Sequence, residues 1–189
     1  VVCCQIHLGV LPSPTCPQFW DMLPVWREVI QQKRSWYDNL KKGNVHSEVW
    51  QSEAWNNIIM DVDRLYPGND FFREEEVQST VKNILLVWAC ANPGISYHQG
   101  MHELAAIFVL VLREDHASSL EEADSQQVDF HDDIMFEEHD AFSLFDALMG
   151  YMKDCFNHNP LPEEEWKQML SWDTFDKDHQ PMDIQGKKS

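Results

Sequence analysis

The sequence lacks any long apolar run. Its longest, Leu104 to Leu112, is nine residues, far short of the roughly 18–20 that a membrane-spanning helix needs. No basic, small-residue-cleaved leader opens the chain. Only 7 glycines and 9 prolines occur among 189 residues. The five cysteines form no C-x-x-C pair and are odd in number, unlike a disulfide framework or a paired-thiol zinc site. Cationic residues are few as well: 14 Lys and Arg against 32 Asp and Glu leave a formal charge of −18. A phosphate-binding surface needs clustered Lys and Arg, so nucleic acid is an unpromising partner, and an anionic membrane surface equally so. Together these absences predict a soluble, intracellular protein with reduced cysteines.

What is present is helical periodicity, with no persistent strand alternation. A short first helix over Val1–Val10 stops at Leu11-Pro12. A second is predicted over Pro17–Lys42, with Phe19, Leu23, Trp26, Ile30, Trp36 or Tyr37, and Leu40 along it. Pro24 should kink or divide this helix and Gly43 should end it. A third starts behind an N-cap at Ser47 and aligns Trp50, Ala54, Ile58 and Val62 before Pro67. A fourth, Glu74–Ala91, carries Val77, Val81, Ile84 or Leu85, and Trp88. A fifth, from Gln99 or Gly100 to Leu112, is apolar nearly all round, which predicts a central position. Between Glu114 and Asp140 lie eleven acids and no Lys or Arg. This stretch reads as a solvated, mobile loop, a docking surface for a basic partner being the alternative. A sixth helix is predicted over Glu138–Asn157, then a short one over Glu163–Trp172 and a frayed, polar end. At 189 residues the chain is one domain with enough length to bury a core.

Two short segments at helix boundaries could carry chemistry. In the first, Asp61 and Arg64 are three apart and share a helix face, so the carboxylate can hold the guanidinium in one orientation. Such pairs are also commonplace on helix surfaces. In the second, Tyr97-His98-Gln99-Gly100-Met101, Gly100 permits an unusual dihedral at the helix entry and leaves Gln99 projecting from a rigid edge. Taken alone, Gln99 reads as an ordinary solvent-exposed glutamine.

Read together, I-x-x-D-x-x-R followed by x-x-P, then Y-x-Q-G some way on, resembles the paired signature of TBC domains. Asp61-Val62-Asp63-Arg64-Leu65-Tyr66-Pro67 and Tyr97-His98-Gln99-Gly100-Met101-His102-Glu103-Leu104 bear the likeness. Leu8-Gly9-Val10-Leu11-Pro12 and Glu138-His139-Asp140-Ala141-Phe142 are similar to flanking segments, so it spans about Val1 to Phe156. The Met-His-Glu-Leu after the glutamine motif is most similar to the endosome-acting branch. The resemblance implies an all-α, orthogonal multi-helix domain over residues 1–157 and an unrelated tail over 158–189. It implies a GTPase activator for GTP-bound Rab proteins: not an enzyme by itself, but a donor of catalytic residues in trans. Arg64 would be the arginine finger and Gln99 the glutamine finger, supported by Asp61, Tyr97 and Gly100. No cofactor or metal of its own is implied, since the Rab brings GTP and Mg²⁺. The implied setting is cytoplasmic, with recruitment to endosomal membranes through partners rather than by direct insertion.

Three features depart from the family pattern. Leu65 stands where threonine usually follows the arginine, Cys4 stands where tryptophan is commoner, and no second helical half is recognisable after Asn157. The last leaves open a catalytically weak, TBC-like interaction module. A further alternative is a zinc hydrolase on His98, His102 and Glu103, because two histidines four apart on a helix can share a metal. The metalloprotease arrangement is H-E-x-x-H, and here Gln99 occupies the glutamate's place.

Overall fold

The computed structural model describes residues 2–13, 22–43, 52–121 and 134–156. Among these residues the chain is all-helical: α1 (Val2–His7), α2 (Leu23–Gly43), α3 (Glu53–Asp63), α4 (Glu75–Ala91), α5 (Met101–Glu121) and α6 (Glu137–Phe156). Short 3-10 turns, Asp70–Arg73 and Ile134–Phe136, precede α4 and α6. All lie in one compact unit, Val1–Phe156. Pro17, Phe19, Ser47, Trp50, Cys16, the helix expected over Glu163–Trp172 and the polar end lie outside the described residues.

Local chemistry sets the helix boundaries. Helix α1 closes with Gly9 at φ +73°, where Leu8 N–H reaches Cys4 O and Val10 N–H reaches Gln5 O. Helix α2 begins at Leu23, so Pro24 lies in its first turn, where the missing N–H costs no helical bond. Residues 14–21, over which a kink or division at Pro24 would show, lie outside the described residues. Helix α3 is capped by Ser52, whose hydroxyl accepts from Trp55 N–H at 3.4 Å, in place of the expected cap at Ser47. Glu75 and Glu76 occupy the first turn of α4, where the helix dipole favours acids.

Helix α4, rather than α5, is the hub. It packs against α2, α3, α5 and α6, and Val77, Val81, Ile84, Leu85 and Trp88 are all buried. Helix α5 buries Met101, Ala105, Ala106, Val109 and Leu112, while Ile107 stays 44% exposed. An unbroken apolar run records which residues resist water, not how many helices surround them. Tyr37 of α2 and Phe142, Phe145 and Met149 of α6 complete the main core. A second cluster, Leu11, Met22, Trp26 and Ile30, joins α1 to the start of α2. There the Trp26 indole N–H donates to Pro12 O at 3.0 Å.

The acidic stretch departs from expectation at its two ends, while residues 122–133 lie outside the described residues. Helix α5 continues through Glu114 to Glu121, and Glu137, Glu138 and Asp140 lie in the first turn of α6. These three acids are paired across the fold. Arg34 holds Asp140 through Nε at 2.9 Å and Nη2 at 2.6 Å, and Arg113 holds Glu137. Glu138 accepts from Tyr37, Lys41 and Asn83. The C-terminal end of the stretch is thus a clamp on α2, α4 and α5, not a solvated loop. Among the described cysteines none is bonded to another; Cys3, Cys4 and Cys155 are exposed and Cys90 is half-buried.

Candidate functional site

Helix α3 presents Asn57, Met60, Asp61 and Arg64 at i, i+3, i+4 and i+7, and so on one side. Asp61 is buried at 5% exposure, which removes it from the class of surface ion pairs. Its Oδ1 accepts from Arg64 Nη2, while the Arg64 side chain remains 62% exposed. The carboxylate is fixed inside and the guanidinium is presented outside. Leu65, expected as a mild change beside Arg64, is a core residue at 4% exposure, so it anchors the turn that follows. Tyr66 beyond it adopts a positive φ of 34° and rests on Phe72, ring centroids 5.0 Å apart.

The loop from Asn92 to Gly100 forms the other wall. Asn92 folds back onto the end of α4 through Nδ2 and its own N–H, both donating to Trp88 O. Ile95 and Ser96 N–H groups then donate to Asn92 O at 3.1 and 2.8 Å. The His98 ring stacks on Phe156 of α6 at 5.3 Å, and His98 N–H points at the Met101 sulfur. Gly100 takes φ +99°, a region that side chains rarely adopt, and its carbonyl accepts from Glu103 N–H in the first turn of α5. Gln99 therefore sits exposed at the tip of a loop fixed on both sides.

The walls meet through Tyr97. Its hydroxyl donates to Asp61 Oδ2 at 2.6 Å and lies 2.9 Å from His102 Nδ1. Burial, then the bond to Asp61, hold the phenol well above its ordinary pKa, so it stays protonated. Burial also lowers His102, against the opposing pull of Asp61 and Glu103. Asn57, Met60, Asp61, Arg64, Tyr97, His98 and Gln99 line one open cavity of about 340 Å³. Four of the five expected site residues, Arg64, Gln99, Asp61 and Tyr97, thus border one space, and Gly100 shapes the backbone beside it. Asn57 and Met60 were missed, although the α3 spacing could have found them. The hydrogen-bonded role of His102 was missed too. Among the described residues no three His, Cys, Asp or Glu side chains converge to hold a metal. His102 is turned to Tyr97 and His98 to Phe156, which corrects the zinc alternative.

The described residues thus form a helical domain with a carboxylate-held arginine and a loop-borne glutamine on one cleft. The model of the Rab-GTPase-TBC domain matches residues 15–172, and the chain belongs to that family. It is 30% identical over 164 residues to TBC1 domain family member 5 homolog B of Dictyostelium discoideum, covering 74% of this chain and 16% of that protein. To human TBC1 domain family member 5 it is 28% identical over 199 aligned residues, covering 89% of this chain and 24% of the relative. The chain thus spans less than a quarter of either relative. The crystal structure of the Ypt/Rab-GAP domain of Gyp1p superimposes with a TM-score of 0.65 at 23% identity, covering 83% of this chain and 48% of that one. The fold is shared.

Proposed function

We propose that the chain stimulates GTP hydrolysis by a GTP-bound Rab protein, inserting Arg64 as an arginine finger and Gln99 as a glutamine finger. What supports the reading is one observation: a buried Asp61 steadies Arg64 while 62% of its side chain remains open to a partner, on the cleft that Gln99 also borders. Arginine is permanently charged and forks onto phosphate oxygens, so it can neutralise charge developing between the β- and γ-phosphates. Glutamine both donates and accepts, as a residue must that touches phosphate and water together. The Rab brings GTP and Mg²⁺, and this chain supplies no cofactor of its own. Nucleic acid is no part of the proposal, given a charge of −18. No described helix is long and apolar enough to cross a membrane. Recruitment from the cytoplasm to endosomal membranes through partners completes the proposal.

The test is single-turnover hydrolysis across a panel of GTP-loaded Rab proteins. An arginine finger contributes about 10³–10⁵ in rate, so Arg64→Ala should remove most stimulation from the responsive Rab with the fold intact. Arg64→Lys should recover little, because an ammonium lacks the planar fork. Near-normal efficiency in the alanine variant refutes the assignment. The second reading is a weak interaction module. It keeps partner binding in both variants and shows no stimulation to lose.

A further inference from the structure

His102 lies outside the cleft lining, at 6% exposure, with its Nδ1 2.9 Å from the Tyr97 hydroxyl. A phenol has a single proton. A carboxylate can only accept, so at 2.6 Å from Asp61 Oδ2 that proton belongs to the Tyr97–Asp61 bond. The Tyr97 oxygen is then left as an acceptor toward the imidazole, and His102 must carry its proton on Nδ1. The alternative tautomer presents a bare Nδ1, which would draw the phenol proton to itself. Asp61 Oδ2 would then be left buried without its donor, a costly state. The Asp61 carboxylate could recover a partner only by turning, and Arg64 is bonded to its other oxygen. Each link in His102–Tyr97–Asp61–Arg64 therefore sets the orientation of the next.

We propose that His102 is a positioning residue for Arg64, acting through the Tyr97 hydroxyl and the Asp61 carboxylate. The proposal rests on the finger role of Arg64 argued above. His102 touches neither nucleotide nor partner; it fixes where the guanidinium waits. Burial disfavours the imidazolium, consistent with a neutral ring held in one tautomer.

The first experiment needs no activity. Nitrogen-15 NMR of the imidazole in the whole chain should show Nδ1 protonated and Nε2 bare, and in Tyr97→Phe that preference should weaken. An Nε2–H tautomer in the wild type overturns the proposal. The second uses the responsive Rab in single-turnover titrations. His102→Ala should lower kcat roughly ten-fold or more, as a misplaced catalytic group does, with KM little changed. His102→Asn should restore most of the rate, because its amide N–H occupies the place of Nδ1–H. In an Arg64→Ala background, His102→Ala should have no further effect on kcat. A merely structural role predicts a loss in both backgrounds and no selective rescue by asparagine. If Arg64→Ala is crippled while His102→Ala is normal, or Asn is no better than Ala, the positioning role falls and the finger reading stands. If Arg64→Ala is itself normal, both fall together. Should His102→Ala fail to fold, the asparagine variant and the tautomer still decide.

Discussion

Replacing Asp140 by alanine asks whether the acidic start of α6 holds the fold together or merely keeps it soluble. The Asp140 side chain is 6% exposed and that of Arg34 is 13% exposed. The guanidinium spends Nε and Nη2 on the two carboxylate oxygens and lies 4.2 Å from the centroid of Phe136. Deleting the carboxylate strands a cation that its surroundings hold away from water. Breaking a buried pair from one side costs about 3–5 kcal/mol. The residual exposure of Arg34 places this case near the lower end, about 3 kcal/mol. For a domain of this size each kcal/mol shifts the melting temperature by about 2–4 °C, so Asp140→Ala should melt about 6–12 °C below wild type. That is a large part of a net stability of ~5–15 kcal/mol. The control is Arg34→Met with Asp140→Leu, which removes both charges and should lie within about 1–2 kcal/mol of wild type. Thermal and urea unfolding of wild type, Arg34→Met, Asp140→Leu and the double mutant measure the coupling, with Asp140→Ala beside them. A single mutant melting within about a degree of wild type, or a double mutant equal to the sum of the singles, refutes the clamp.

Three further outcomes are expected. If Gln99 orients the attacking water, a Rab whose own switch glutamine is changed to leucine should still respond, and Gln99→Ala should cost more than that change; the reverse ranking in single-turnover assays assigns the water to the Rab. Burial lowers the His102 pKa below its ordinary 6.5, so the unfolded chain binds the proton more readily and stability falls as pH drops through that value. Melting temperature should therefore decline from about pH 7.5 to about pH 5.5, less steeply in His102→Asn, and equal slopes would remove His102 from the account. Finally, Met60 is 58% and Ile107 44% exposed. In a saturating Rab titration this chain should show a kcat/KM lowered mainly through KM, with kcat partly recovered at saturation. A robust monomer with a low KM contradicts that expectation.

How much of this was legible in the sequence depended on how far apart the partners lie. Apolar spacing located α4 and α6 closely and found the buried face of α3 though not its start, because Ile58 and Val62, or Phe142, Phe145 and Met149, repeat along one helix and need no knowledge of the rest. It failed where a helix continued with few apolar residues. The turns of α5 beyond Leu112 are polar and acidic, yet glutamate is a good helix former; periodicity is silent there, and the segment passed for loop. Pro24 lies in the first turn of α2, where proline fits although it breaks a helix interior, and the residues before Met22 that the expectation concerned lie outside those described. The site divides in the same way. Asp61 and Arg64 are three residues apart, so their pairing could be read along the chain. Tyr97 reaches Asp61 across 36 residues, and only the packing of α3 against α5 turns His102 into that bond's neighbour. Glu138 meets Tyr37 at a separation of 101, and Asp140 meets Arg34 at 106. A run of acids reads as repulsive and solvated until its cations arrive from elsewhere. Local chemistry thus names the groups that can act, while the tertiary fold decides which are exposed and which are held. Arg64 shows both: its carboxylate partner is visible in the sequence, but that the partner is buried while the guanidinium is open is a property of the fold alone.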